Sequence, residues 1–543
     1  MRSAALMVLA LWAAPVSVRA GDLSDTPPPG VYYPLNMAAH DGCPTFRSGL
    51  PLIGTTYFYW YDVYSGAHIV NPDGTDALTD HPPLEAMADL SYKSPNWHYA
   101  QLQDVARAGI DFVMPVYWGV PGQYEQGQFA WSFAGLPPLI EAHDRMIREH
   151  AADFSRPLPP QIGLFYDTST LANNDADGPG QNRHIDLTTP EGREWFYVTI
   201  RDFFSLIPPA KWARIDGRPI IFLYAAAFAR KIDDRLFDDA RRRFQADFGT
   251  DFFLVRHGDW PGKAEAAYSW GGALGLTIGD AVAGLGPGYD DSAVPGRHTL
   301  RVDRERGKFY ERQWEKLLRM NRHRRPWIVH VETWNEWHEG TDIARSAVCG
   351  DQYIRATARY ARMFHDGVRL EPSGEYVNAG RVRWAGGEIA GLTLLPSGGD
   401  GCWEKVDVDG SPAVVSVENP ATHNRYLYFD VDDAYMYDED HRVAELTIVF
   451  RDDGGCDAFS IHYDNSNPMA GPVDGAFRPG PTIPVGNTGT WRTVTVQLPD
   501  VRFANRGNKA DFRLAPTGGQ DRLTIREILV RRLPGTLTKI TTN

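Results

Sequence analysis

Trp327-Ile328-Val329-His330-Val331-Glu332-Thr333-Trp334-Asn335-Glu336 is an apolar run of strand length that ends in polar and aromatic residues. Seven runs of the same make precede it: 54–62 (GTTYFYWYD), 112–119 (FVMPVYWG), 161–168 (QIGLFYDT), 219–224 (PIIFLY), 251–257 (DFFLVRH), 266–271 (AAYSWG) and 280–289 (DAVAGLGPGY). Helical spacing fills several of the intervals, clearest at 97–108, 191–205, 233–248 and 311–321. Alternating strand-length and helix-length patterns are what βα repeats look like in sequence. Eight runs between about residue 52 and residue 336 predict a (β/α)8 TIM barrel, an α/β fold of this size.

The strand ends carry the functional information. Tyr59-Trp60-Tyr61-Asp62, Tyr117-Trp118, Tyr166-Asp167, Tyr224, Arg256-His257, Tyr289-Asp290 and Trp334-Asn335-Glu336 close seven of the eight runs. In such barrels the site is built at the C-terminal strand ends, so these residues are expected around one cleft. Tyr59, Trp60, Tyr117, Trp118, Asp167, His257 and Tyr289 are candidate substrate-binding residues on that ground. Each alone is nearly as well explained by packing or by turn chemistry.

The segment 331–341 (VETWNEWHEGT) gathers three carboxylates and an imidazole at the end of the eighth strand. Cleaving a glycosidic bond takes one group to protonate the departing oxygen and a second to act as base or nucleophile, and paired carboxylates at a barrel mouth supply both. Glu336 and Glu339 are the candidate pair. If the chain turns helically there, residues three apart sit roughly 5–6 Å apart at Cβ, and mutual repulsion raises one pKa. A helix N-terminus favoured by its acidic residues, with Trp337 in the core, explains the spacing equally well.

The stretch Trp334-Asn335-Glu336-Trp337-His338-Glu339-Gly340-Thr341 resembles the signature of glycoside hydrolase family 99, whose members include endo-α-mannosidases and endo-α-mannanases. Gly286-Pro287-Gly288-Tyr289-Asp290 is similar to the family's GPGY-type turn, and Arg304-Glu305-Arg306-Gly307-Lys308-Phe309-Tyr310 to its following Arg-x-x-Gly-x-x-Tyr stretch. The resemblance runs in order over roughly residues 50–345. It implies endo-acting, retaining hydrolysis of an α-glycan through a 1,2-anhydro sugar. The carboxylate matching Glu336 takes the proton of the substrate 2-OH; the one matching Glu339 protonates the leaving oxygen and then activates water. Glu332 matches a carboxylate that positions sugar hydroxyls, and Trp334, Asn335 and His338 fall within the signature as substrate-binding candidates. Two departures bear on mannan specificity: Asp342-Ile343-Ala344 stands where the family continues to a Glu, and a long insertion, Val63–Pro83, follows the first strand.

Beyond the barrel, after a helix expected over 353–371, the texture changes to short alternating strands at 427–431, 445–450, 458–463, 493–498 and 523–531, separated by Gly, Pro, Asn and Asp turns. This predicts an all-β jelly-roll-like sandwich over 401–543, joined by a Gly-rich linker, 371–400, to a barrel domain spanning 21–370. The module is a candidate carbohydrate binder or a cover for the barrel. Its acidic runs Asp430-Val431-Asp432-Asp433 and Asp438-Glu439-Asp440 offer oxygen ligands of the kind a structural calcium takes, or are solvated turns. No cofactor and no other metal is expected.

Arg2, the apolar run 4–14 and Val18-Arg19-Ala20 predict an export signal cleaved near Ala20, a retained anchor being the alternative. A secreted or periplasmic location follows. The net charge of −14 leaves no broad basic surface for phosphates, which makes nucleic acid a poor partner. No later stretch approaches a membrane span, so the expected partner is a carbohydrate substrate. Export permits disulfides, and the positions of the four cysteines point to Cys43–Cys349 and Cys402–Cys456, with four free thiols as the other reading. A glycan-binding protein that kept the barrel and lost turnover is the alternative to an enzyme.

Overall fold

The computed structural model describes residues 23–534 apart from 126, 175, 177–181 and 399. The leader expected over residues 1–20 lies outside the described residues. The chain forms two compact units, the first running to Leu318 and taking in Arg324–Val368, the second made of Arg319–His323 and the chain from Arg369 onward.

The first unit is a nearly closed, parallel-rich barrel. Its strands are β1 (Leu52–Tyr57), β2 (Phe112–Tyr117), β3 (Gln161–Ile162 and Leu164–Tyr166), β4 (Arg218–Leu223), β5 (Phe253–His257), β6 (Ala266–Tyr268), β7 (Val282–Leu285) and β8 (Ile328–Val331). They are hydrogen-bonded in the order β6-β5-β4-β3-β2-β1-β8-β7, and each of these neighbouring pairs is parallel. Among the described residues, only the β6–β7 seam lacks a ladder. β1, β2 and β8 are buried at every position, as strands covered on both faces must be.

Helices α1 (Pro95–Arg107), α2 (Leu136–Ala152), α3 (Pro190–Leu206), α4 (Leu236–Phe248), α5 (Lys308–Arg319) and α6 (Gln352–His365) supply most of the outer layer. Local chemistry sets several of their ends. The Ser94 hydroxyl accepts from the Trp97 amide before Pro95, the Thr189 hydroxyl accepts from the Gly192 amide before Pro190, and Gly249 closes α4 at φ +70°. A strict eightfold βα repeat is not formed. Residues 258–265 join β5 to β6 without a helix, and a single 3-10 turn, Gly272–Leu274, stands between β6 and β7. Eight residues are too few for a helical crossover.

The second unit packs two antiparallel sheets, of seven and five strands, on one core that includes Trp384, Val414, Phe429, Leu446, Phe459, Phe512 and Ile528. The expected linker is corrected in part. Strands Val382–Ala385, Glu388–Ala390 and Leu392–Leu394 belong to these sheets, with Val382, Trp384 and Leu392 buried. Strands of three or four residues set between glycines are too short for their alternation to stand out.

All four cysteines are free thiols, so neither expected disulfide is formed. Cys43 donates to the Ala39 carbonyl at 3.7 Å, while Cys349 lies in the field of Arg304 and Asp80. In the acidic runs, Asp438 pairs with Arg502 and Asp430 accepts from Asn505. Among the described residues no group of three His, Cys, Asp or Glu is arranged to hold a metal, and no helix is long and apolar enough to cross a membrane.

Candidate active site

Residues 332–344 fold back over the C-terminal end of β8 as an irregular loop, not a helix. The Thr333 amide donates to the Thr341 carbonyl at 3.0 Å, the Glu336 amide to the Thr333 hydroxyl at 2.9 Å, and Gly340 makes the reversal at φ +52°. The premise of a helical turn through Glu336 and Glu339 is therefore corrected. A neighbouring motif holds the loop from outside: Arg304 donates to the Gly340 carbonyl at 2.9 Å, the Asp342 carbonyl at 3.0 Å and the Asp342 carboxylate at 2.9 Å.

The loop gives its three glutamates different surroundings. Glu332 is 1% exposed; its Oε2 accepts the Gly271 and Gly272 amides at 2.8 Å each, and its Oε1 has no hydrogen-bond partner. Burial raises its pKa to about 8 against those amides, with Glu339 adding to the rise. Gly286 lets the backbone at the end of β8 come close, since a Cβ there would meet the Glu332 carbonyl oxygen at 2.1 Å.

Glu336 is 3% exposed, and its Oε1 faces the His338 amide at 3.2 Å and His338 Nδ1 at 3.1 Å. Its Oε2 is buried without a partner. Burial raises the Glu336 pKa, and His338 opposes the rise. Glu339 turns the other way, where Arg297 Nη1 meets its Oε1 at 2.5 Å and the Tyr289 hydroxyl at 3.0 Å. Burial works against the Arg297 charge, but Glu339, Tyr289 and Asp291 together raise its pKa.

A cleft of about 290 Å³ opens beside this loop, lined by Glu332, Thr333, Glu339 and Thr341 from the loop, Tyr224 and Trp270 from the β4 and β6 ends, and Tyr289 and Arg297. Arg297 is its only basic lining residue. Beneath it, His330 of β8 accepts or donates at 2.6 Å with the Thr56 hydroxyl and is ringed by Phe222, Tyr268 and Trp270 at 5.2 to 5.8 Å.

The family described as "Domain of unknown function (DUF5010)" matches residues 58–374, which contain the barrel strands β2–β8 and the whole of this loop. The chain belongs to this family. Two curated relatives of this DUF5010 chain, the glycoprotein endo-alpha-1,2-mannosidase-like proteins of Mus musculus and Homo sapiens, are each 37% identical over 66 residues. That match covers 12% of the chain and only 14% of the relatives' own length. Among solved structures, the GH99 endo-alpha-mannosidase of Bacteroides thetaiotaomicron is 15% identical, with 59% of this chain and 99% of that chain covered and a TM-score of 0.40.

The DUF5010 barrel sorts the candidate residues. Glu332, Glu339 and Tyr289 line the cleft; Glu336 and His338, paired with each other, sit on the same loop but are not among its lining residues. Trp60, Trp118 and Asp167 form an adjoining group: the Trp118 indole donates to Asp167 at 2.6 Å, and Trp60 meets Trp118 edge-on at 5.9 Å. Burial raises the Asp167 pKa despite donors from Ser169 and Trp118.

Four candidates are corrected, because Trp334, Asn335, Tyr59 and Tyr117 are wholly buried and offer a ligand no face. Trp334 donates to Gln101 at 2.7 Å, Asn335 brackets the Phe58 amide and carbonyl at 2.8 and 2.6 Å, Tyr59 donates to the Ser132 carbonyl at 2.7 Å, and Tyr117 packs edge-on to Phe133 and Phe203. They fix the walls. His257 is paired with Asp259 at 2.6 Å and does not line the cleft. The strand ends expected around the cleft include Tyr224, though not among the chosen substrate-binding candidates, whereas Trp270 and Arg297 carry no such expectation. Tyr224 and Trp270 end their runs as the chosen aromatics do, whereas Arg297 sits in a Pro-Gly-Arg turn with no pattern to mark it.

Proposed function

We propose that this protein is a glycoside hydrolase that cleaves α-linked glycan with net retention, acting outside the cytoplasm. The observation that carries the reading is the Glu336 carboxylate, buried beside an imidazole with Oε2 left without a partner, three residues from a second carboxylate at a cleft. An acceptor oxygen kept dry and unpaired is costly unless a ligand hydroxyl completes it. In the reaction, Glu336 Oε2 takes the proton of the sugar 2-OH as that oxygen bonds to the anomeric carbon. Glu339 gives its proton to the departing oxygen, and a 1,2-anhydro sugar results. Glu339 then removes a proton from water, whose oxygen opens the epoxide at the anomeric carbon, and Glu336 returns its proton to O2. Glu332, protonated at neutral pH, serves as a donor that positions a sugar hydroxyl.

The Arg297–Glu339 ion pair favours the second reading, a glycan-binding barrel without turnover, because a carboxylate held by a guanidinium must be released before it can donate a proton. A panel of purified α-glycans with product analysis decides between them. Turnover with retained anomeric configuration, abolished by Glu336→Gln, supports the enzyme. Binding without products supports the alternative, and an inverted first-formed anomer refutes the epoxide route.

A further inference from the structure

Both ring nitrogens of His338 face acceptors. Nε2 lies 2.7 Å from the His68 carbonyl oxygen, which can only accept, so Nε2 carries a hydrogen. Nδ1 lies 3.1 Å from Glu336 Oε1, an oxygen that already faces the His338 amide. A neutral core histidine needs one donor; this one is placed to use two.

The His68 carbonyl comes from the insertion after β1, held at the site by several contacts. The His68 ring stacks flat on Trp60 at 4.5 Å. The Thr79 and Asp80 amides donate to the Trp337 carbonyl at 2.9 and 3.1 Å, and the Thr79 hydroxyl donates to the His338 carbonyl at 2.7 Å. The insertion thus grips the turn that carries His338 on both sides.

We propose that His338 is a doubly protonated positioning residue, fixed by the His68 carbonyl, that keeps Glu336 ionised and its Oε2 free to take a substrate hydroxyl proton. This rests on the glycosidase reading above. When Oε2 takes the proton, Glu336 becomes neutral while His338 keeps both of its hydrogens, one on the His68 carbonyl. The same proton returns from Oε2 to the sugar when the epoxide opens, so His338 ends each cycle unchanged.

The groups facing the pair divide by element. The loop itself brings Glu339; β1 and its extension bring the Tyr61 and Trp60 rings at 5.4 and 5.5 Å; the insertion brings the His68 ring at 5.8 Å and the Asp76 carboxylate, which feels the His338 charge. Burial, with His338 second, pushes the His68 pKa down to about 3, so that ring adds no positive charge. Burial also disfavours the His338 cation, and Glu336, the His68 carbonyl and Glu339 together outweigh it to leave the pKa raised.

The test uses the full-length protein labelled with 15N-histidine, its ring resonances followed from pH 5 to 9, with His338 identified by the signal lost in His338→Gln. Both nitrogens are expected to be protonated at pH 8, above the ordinary histidine value of about 6.5, and Glu336→Gln should bring that titration down. With an aryl α-linked mannobioside as probe, His338→Gln should move the acid limb of the kcat profile up by about 1–3 pH units with little change in KM. An ordinary His338 titration indifferent to Glu336→Gln overturns the proposal, as does a fall in kcat with the limb unmoved. If wild type turns over no glycan at all, the glycosidase reading fails and takes the positioning role with it, while the ring titration still decides the pairing.

Discussion

The loop after β8 places two carboxylates three residues apart in opposite surroundings. Glu336 is dry, faces an imidazole and keeps one oxygen unpaired; Glu339 borders the cleft and is closed by a guanidinium. Neighbouring carboxylates with different environments are how one fold separates proton acceptance from proton donation. The difference comes from the backbone. A helical turn would have shown both side chains to similar surroundings, whereas the reversal at Gly340 sends Glu339 to Tyr289 and Arg297 and leaves Glu336 with the insertion.

The largest effects expected come from removing each member in turn. Glu336→Gln and Glu339→Gln should each lower turnover of natural glycan by about 10²–10⁴-fold, the usual size of a proton-transfer contribution. Aryl glycosides with good leaving groups separate the two: they need little help in departure, so the first step should survive Glu339→Gln far better than Glu336→Gln. Equal, modest losses for both variants on every substrate would break the comparison.

Glu332 sharpens it on the buried side. Its folded pKa of about 8 lies above the usual glutamate value, so between roughly pH 4.5 and 8 the folded protein holds a proton that the unfolded chain has lost. Stability from this group is full below that window and falls as pH rises through it. Glu332→Gln imitates the protonated form and still accepts the Gly271 and Gly272 amides. It should flatten the decline, giving a barrel roughly 2–4 kcal/mol more stable than wild type at pH 8.5 and little changed at pH 4.5. Urea unfolding of both proteins at the two pH values measures this. An equal offset at both would mean that Glu332 is ionised throughout.

These contrasts also show what was legible in the sequence. All eight barrel strands lie within runs such as 161–168 and 327–336 or at most two residues outside them, because buried parallel strands are written as continuous apolar stretches. Helix α2 went unread, since Leu136-Pro137-Pro138 masks its start, and the missing helices around β6 were not foreseen, since a strand count says nothing of what joins the strands. The carboxylates were found because they share one segment. Arg297 was not, because its link to Glu339 crosses 42 residues and exists only in three dimensions. The same limit applies to Trp334 and Asn335: their place beside the glutamates in sequence suggested contact with substrate, but a residue that points inward to Gln101 or Phe58 builds the site without touching what binds there.

The smallest effect concerns the Arg297–Glu339 pair itself. The Arg297 side chain is 37% exposed and that of Glu339 21%, so water screens their attraction, and such pairs add little to stability. Arg297→Ala should therefore cost less than about 1 kcal/mol in urea unfolding. Its effect on turnover carries the information. If Arg297 only holds Glu339, the variant should cleave neutral glycan as fast as wild type or a few-fold faster, with KM nearly unchanged. If instead the guanidinium swings from Glu339 to a group on the sugar, KM should rise while kcat holds. A loss of stability well beyond 1 kcal/mol would place Arg297 with the buried charges, and the division of the loop into a dry side and a cleft side would no longer stand.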